Sequence, residues 1–218
     1  MPLTPAYIIL DDYWHPKDSI TPVLPLILRD SAFFREIFET PEELQSRLAS
    51  GKTPGIIVNF KDGIADTRIP TPNWYDGGMS AALLNAVKNG AGYLAVHCGM
   101  ANVPESGPIY TELLRGAFIS HPPACPVKFT PRPGHPITEG VKPFETHDEH
   151  YVVRVLTDQT DILGYSTSRL ATNIALWAHE YGKGRVCGVT PGHRENTLLN
   201  PEYVKLLKNA VNWCAGGR

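Results

Sequence analysis

The sequence carries no excess of positive charge: 20 Lys and Arg stand against 22 Asp and Glu, a formal net charge of −2. That balance leaves no electrostatic footprint for nucleic acid, and without a basic run no anionic membrane surface is addressed. Cysteine is scarce. Cys98, Cys125, Cys187 and Cys214 are widely spaced with no Cys-x-x-Cys pair, so neither a disulfide framework nor a zinc ribbon is expected, and reduced thiols in a cytoplasm are. The apolar runs fall short of a membrane span, and Met1–Pro5 lacks a cationic start leading into a long apolar stretch. No Gly-x-Gly-x-x-Gly or Walker motif follows an apolar run, so no nucleotide cofactor is expected. No repeat, low-complexity tract or internal boundary divides the 218 residues, which read as one domain over 1–218.

What the chain does have is turn chemistry. Twenty prolines and 19 glycines, spread throughout, imply many short elements joined by long, shaped loops. Strands and helices alternate. Tyr7–Leu10 reads as a first central strand, ending in a loop of two acids, two aromatics and a histidine, Asp11-Asp12-Tyr13-Trp14-His15-Pro16. Ser19–Leu28 is ambiguous because Pro22 and Pro25 interrupt any helix. Phe33–Phe38 reads as a second strand. Thr40-Pro41-Glu42-Glu43 is a capped helix start, and that helix runs to about Ala49 and stops at Gly51. Ile56–Phe60 is the next strand and Ala81–Lys88 the next helix. A helix is expected over Ile109–Leu114, an outer strand over Val127–Thr130, and a one-turn helix at His135–Gly140 with His135 capping it. Asn173–His179 and Arg185–Val189 form a hairpin through Tyr181-Gly182-Lys183-Gly184. Asn200-Pro201-Glu202 opens a last helix with Tyr203, Val204, Leu207, Val211 and Cys214 on its buried face.

The middle of the chain holds the most informative stretch, Gly90–Gly99. An apolar run, Tyr93–Val96, is bounded by glycines and stops at His97-Cys98-Gly99, the pattern of a strand buried on both faces of a parallel sheet. Chemistry in such sheets sits beyond the carboxyl ends of the strands. In a sharp elbow the residue two before the glycine is lifted to the tip. Here that residue is His97, and Cys98 turns back into the packing, where a thiol is inert. A second polar concentration is Phe144–Tyr151. As a strand it would put His147, Glu149 and Tyr151 on one face, Asp148 and His150 on the other. It is either a solvated acidic edge or the source of a carboxylate for a site.

Two chemistries are open. A cysteine nucleophile at Cys98 would need His193 as base and Glu195 to orient it. Alternatively His97, Glu149 and His193, each at or near a strand end, form a reactive cluster. Two imidazoles and a carboxylate can transfer protons, or hold a divalent metal such as zinc with a position left open.

Leu94-Ala95-Val96-His97, Tyr110–Phe118, His121-Pro122, His135–Gly140, Phe144–Glu149, Tyr181–Val186 and Pro191-Gly192-His193 together resemble the ThuA-like trehalose-utilisation family. The resemblance covers most of the chain in order, and Tyr13-Trp14-His15 resembles that family's aromatic–histidine loop. It implies the class I glutamine amidotransferase-like superfamily and an α/β fold: a flavodoxin-like three-layer sandwich with a mainly parallel central sheet. Glutaminases of that superfamily carry cysteine at the elbow, with a later His-x-Glu. His193 and Glu195 match the second part, but His97 holds the tip, which argues against amide hydrolysis through a thioester. The resemblance implies a place in carbohydrate metabolism and a small-molecule sugar or sugar derivative as partner. We therefore expect Trp14, His15, His121 and Tyr151 to bind it, the aromatics stacking on a sugar face. A thiol hydrolase and a non-catalytic sugar-binding or assembly module are the alternatives, and self-association through the aromatic loops is left open.

Overall fold

A computed structural model describes residues 4–28 and 33–216; residues 1–3, part of the Met1–Pro5 reading, lie outside them. Strands that are apolar at successive positions must be covered on both faces, and the first half of the chain supplies them. They are β1 (Thr4–Ile9), β3 (Ile56–Asn59) and β4 (Gly92–Val96), while β2 (Phe33–Phe38), with Arg35 and Glu36 and mostly exposed, is an edge strand. The second half adds β5 (Gly116–Ser120), β6 (Cys125–Pro131), β7 (Phe144–Asp148), β8 (Val152–Val155), β9 (Asp161–Thr167), β10 (Thr172–Tyr181) and β11 (Gly184–Val189). Nine of these make one sheet in the order β2-β1-β3-β4-β11-β10-β9-β6-β7, and β5 pairs with β8 separately.

The sheet is not mainly parallel, as the resemblance implied, but evenly mixed. β2, β1, β3, β4 and β11 pair in parallel; β10, β9, β6 and β7 extend it in antiparallel fashion. The tight link between Tyr181 and Gly184 is the cause, since a connection that short reverses direction and cannot cross over. Val127–Thr130, expected in an outer strand, lies in β6, next to the edge strand β7. β8 and β9 fall in a stretch whose strands the sequence patterns did not isolate.

The helices are α1 (Lys17–Ile20), α2 (Leu24–Ile27), α3 (Pro41–Ala49), α4 (Met79–Lys88), α5 (Glu195–Leu198) and α6 (Pro201–Cys214). The ambiguous Ser19–Leu28 segment resolves into short turns, with Pro22 and Pro25 each near the start of a new one, where proline costs no hydrogen bond. Thr40 caps α3 by accepting from the Glu43 amide. The expected helix Ile109–Leu114 is a single π-helical turn, ended by Arg115 at φ 53°.

Alternation along each strand splits the core in two. Ala6 and Ile8 pack with Leu24, Ile27, Leu207 and Val211 on one face; Tyr7 and Ile9 pack with Leu44, Leu83 and Val87 on the other. Helices therefore cover both faces of the sheet. On α6 the buried stripe is Tyr203, Leu206, Leu207, Ala210, Val211 and Cys214, with Val204 at its margin.

The mixed sheet decides where chemistry can assemble. β1, β3, β4 and β11 all end at one edge because they are parallel. The three reversals from β9 through β6 to β7, counted after that at β10, return the carboxyl end of β7 to this same edge. At that edge β4 turns sharply into His97–Met100. Asn59, at the end of β3, clamps the turn from below: its amide donates to the Gly99 carbonyl at 3.1 Å and to the Tyr93 hydroxyl at 3.0 Å. A Cβ on Gly99 would collide with the Asn59 backbone carbonyl. Gly99→Ala is accordingly expected to destabilise the protein by about 1–3 kcal/mol, read as a lowered midpoint in urea; an unchanged midpoint would show that the turn is not clamped.

Candidate functional site

His97 sits at the elbow tip with φ 49°, a conformation that a non-glycine residue holds only where its surroundings impose it. Its ring is 1% exposed and stacks on Tyr151 with centroids 4.0 Å apart. Nδ1 lies 2.7 Å from the Thr190 carbonyl. A carbonyl can only accept, so Nδ1 carries a proton and donates to it, leaving Nε2 to face the site. That Nε2 is buried and has no hydrogen-bond donor among the described residues; Glu149 Oε2 stands 3.3 Å away.

His15 is set in the same way by a carboxylate. Its Nδ1 is 2.9 Å from Asp12 Oδ1, and its Nε2 is 3.0 Å from His193 Nδ1. Asp12 is itself pinned by the backbone amides of Trp14, His15 and Asp62. Burial works to raise the Asp12 pKa, but hydrogen bonding to His15 and these amides outweighs it and holds the group ionised. Glu149 behaves alike. Burial opposes its charge, while His97, His193 and His121 favour it, leaving the pKa at about 2. His193 is pushed down to about 4, first by burial and then by the neighbouring His97 and His15, so it is neutral at pH 7.

Asp148 holds two sides of this cluster together. Its buried carboxylate accepts from the amides of Glu149 at 2.9 Å, Gly192 at 2.8 Å and His193 at 3.2 Å. One side chain thereby fixes the backbone under both Glu149 and His193. The alternation expected through Tyr151 fails because β7 ends at Asp148. His147 is exposed, whereas Glu149 and Tyr151 turn into the site. The solvated-edge reading fails with it, since Asp148 is 1% exposed. His150 leaves the site altogether, bonding Ser168 and the Ser166 carbonyl.

Above the cluster lies a cavity of about 330 Å³ whose wall includes Trp14, Phe118, His121 and Tyr151, with Asp62 and Asn102 at one side. Among the described residues, no Lys or Arg lines it. Its lip is a clasp of two loops: the Tyr13 amide donates to the Ala65 carbonyl at 2.8 Å and the Trp14 indole to Thr67 at 3.1 Å. A larger cavity of about 580 Å³, between α3 and the loop after β3, has no imidazole on its wall, and its buried Lys61 is spent on the Asp11 carbonyl.

The structure thus brings His97, Glu149 and His193 together, and sets Trp14, His121 and Tyr151 around the cavity. His15 also lines the cavity, largely buried and in contact with His193. Asp12, Asp148, Thr190 and Phe118 were not singled out from sequence. Asp12 and Asp148 carried a signal only as acids adjoining a chosen residue, and a backbone carbonyl such as that of Thr190 carries none.

The Cys98–His193–Glu195 triad is not assembled. Cys98 Sγ donates to the Phe60 carbonyl at 2.8 Å. Burial, then the charges of Asp12 and Asp62, push its thiol well above the usual range. Glu195 is exposed at the first residue of α5, and the neighbours of the His193 ring are His15 and Glu149. All four cysteines are free and buried.

The family model described as trehalose utilisation (ThuA) matches residues 56–214. The chain belongs to the ThuA family. Solved structures agree with the assignment. A protein from Parabacteroides merdae described as ThuA-like is 17% identical, with a TM-score of 0.76 over 99% of this chain and 91% of that one. A second protein so described, from Bacteroides uniformis, is 16% identical at a TM-score of 0.73, over 98% and 91%. A cytoplasmic protein from Salmonella typhimurium is 15% identical at a TM-score of 0.61, over 97% and 99%. At these identities the likeness is one of fold. A search of curated proteins returns no match. No helix among the described residues is long and apolar enough to cross a membrane.

Two expectations follow for this ThuA-family site. Asp148→Ala leaves three amides without their acceptor and should lower stability by roughly 2–4 kcal/mol. Faster amide hydrogen exchange at 149, 192 and 193 would localise the damage, and unchanged exchange there would refute the tie. Cys98 should react with iodoacetamide near neutral pH far more slowly than a free thiol does, as mass spectrometry of the labelled peptide can show.

Proposed function

We propose that the chain binds and chemically transforms an uncharged, sugar-derived small molecule in the cavity above Glu149. One observation carries this reading. Glu149, His15, His97 and His193 converge at the strand ends beneath an aromatic wall of Trp14, Phe118 and Tyr151. Aromatic rings offer a flat apolar surface to the C–H face of a sugar, while Asn102, Asp62 and His121 can meet its hydroxyls. A cavity of about 330 Å³ suits one sugar ring rather than a fully enclosed disaccharide. With Asp62 and Glu149 on its wall and no Lys or Arg among the described residues lining it, the site disfavours a phosphate ester.

The chemistry we assign is proton transfer. His193, neutral at pH 7, is the base for a substrate hydroxyl. Glu149, ionised and 3.5 Å away, stabilises the imidazolium that forms and so eases return of the proton. The Nδ1–H groups of His97 and His15 are held by the Thr190 carbonyl and by Asp12. The family's description as trehalose utilisation supports a carbohydrate substrate. The parallel half of the sheet, β2-β1-β3-β4-β11, supports a flavodoxin-like arrangement with chemistry at the strand ends. The free thiols, and the cytoplasmic description of the Salmonella protein, support a cytoplasmic location.

A thermal-shift screen of neutral monosaccharides against their phosphate esters tests the substrate class. Neutral sugars should raise Tm, and the esters should bind at least about tenfold more weakly; the reverse preference would sink the reading. In a turnover assay on a sugar that binds, His97→Ala and His193→Ala should each cut the rate by roughly 100-fold or more with circular dichroism unchanged. A wild-type protein that binds sugar yet changes none would be a binding module instead.

A further inference from the structure

We propose that His15, His97, Glu149 and His193 together hold one divalent transition-metal ion, of which zinc is the archetype. The inference rests on the reading of this pocket as the reactive site and names the group that would act in it. It differs from the expectation drawn from sequence by a fourth donor, His15.

Three independent features point to a cation. The first is an unsatisfied atom: His97 Nε2 is buried with no hydrogen-bond partner among the described residues and faces Glu149 Oε2 at 3.3 Å. A buried imidazole nitrogen and a carboxylate oxygen so close are joined by something positive between them, a proton or a metal cation. The second is spacing. Zinc–nitrogen and zinc–oxygen bonds of about 2.0–2.1 Å place adjacent tetrahedral donors roughly 3.3–3.4 Å apart. Here His97 Nε2 to Glu149 Oε2 is 3.3 Å, His193 Nδ1 to Glu149 Oε2 is 3.5 Å, and His15 Nε2 to His193 Nδ1 is 3.0 Å. All four donor atoms fall within 4.8 Å of one another. The third is the outer support. Metal-bound imidazoles almost always give their other N–H to a carboxylate or carbonyl. His15 gives its Nδ1–H to Asp12, and His97 to the Thr190 carbonyl. Asp148 fixes the backbone of the other two donors.

The donor chemistry selects the ion. Three imidazoles and one carboxylate suit zinc, iron, cobalt or nickel and not calcium or magnesium, which take oxygen. A competing trio, Asp12, His15 and Cys98, is spent internally: His15 Nδ1 already donates to Asp12, and the Cys98 thiol to the Phe60 carbonyl. An ion held by the four donors would sit against the cavity floor. There it would polarise a substrate hydroxyl or carbonyl oxygen that enters as a fifth ligand, and would lower the pKa of a hydroxyl so bound.

The full chain, stripped with a chelator and dialysed, is titrated with Zn²⁺ by calorimetry and with Co²⁺ by visible absorption. One equivalent of either should bind, raise Tm, and for Co²⁺ give d–d bands of a nitrogen- and oxygen-ligated ion. Glu149→Gln and His15→Ala should each weaken Zn²⁺ binding by at least about 100-fold, since loss of an outer partner alone costs 10–100-fold. The wild-type cobalt spectrum is the readout that stands even where a variant fails to fold. Absence of stoichiometric binding, or binding that both folded variants retain, would overturn the metal site. Neutral-sugar binding is measured on the same stripped protein. Sugar binding without metal binding removes the ion and leaves the pocket reading intact, whereas metal binding with no sugar response supports the ion and removes the sugar.

Discussion

The buried carboxylate of Asp148 is the contact on which the rest of the site depends. It joins a strand end in the antiparallel half of the sheet to the loop that follows the last parallel strand, by three backbone amides rather than by a side-chain pair. Amide donors do not titrate and do not change rotamer, so the link is set by the fold alone. A charge taken out of water needs such donors to be tolerated, and Asp148 has them on both oxygens. Without that link, Glu149 and His193 would be mounted on two loops with no common reference.

Around it, each reactive ring is fixed by a different neighbour. His15 leans on Asp12, His97 on the Thr190 carbonyl, and His97 again on the stacked ring of Tyr151. The result is a small region where lone pairs and one carboxylate crowd together while their outer hydrogen bonds are satisfied. Crowding of this kind is unfavourable for a resting protein and useful for a reacting one. It fits a general pattern in which strain and unmatched polarity collect at sites of chemistry, and the left-handed backbone of His97 marks the same place.

Much of the fold was legible because its signals are local. The cap at Thr40, the Gly90 break, the hairpin at Gly182 and the stripe on α6 each need only a few residues to be read. The elbow was legible too, since Gly99 two residues beyond His97 settles which side chain is lifted. What the sequence hid were consequences of pairing at a distance. The mixed character of the sheet depends on which neighbours β6 and β9 find, and no run of residues records that. Likewise Asp148 and Glu149 are adjacent acids, and only the end of β7 between them determines that one braces the backbone and the other faces the cavity. His15 was assigned to the substrate because its loop is aromatic; its contact with His193 spans 178 residues and leaves no mark in spacing.

That long span has a consequence for how the protein comes into being. The donors come from the first loop, the middle elbow, the end of β7 and the last turn before α5, so no fragment of the chain contains them all. A ribosome-bound chain can build β1 to β4 early, but the cluster closes only after β11 has paired and α6 has docked, where the Tyr203 hydroxyl holds the Pro191 carbonyl. Contacts of such separation form late. A nascent or clipped chain therefore lacks the assembled cluster, and local opening at the carboxyl-terminal end would take the cluster apart while most of the sheet still stood.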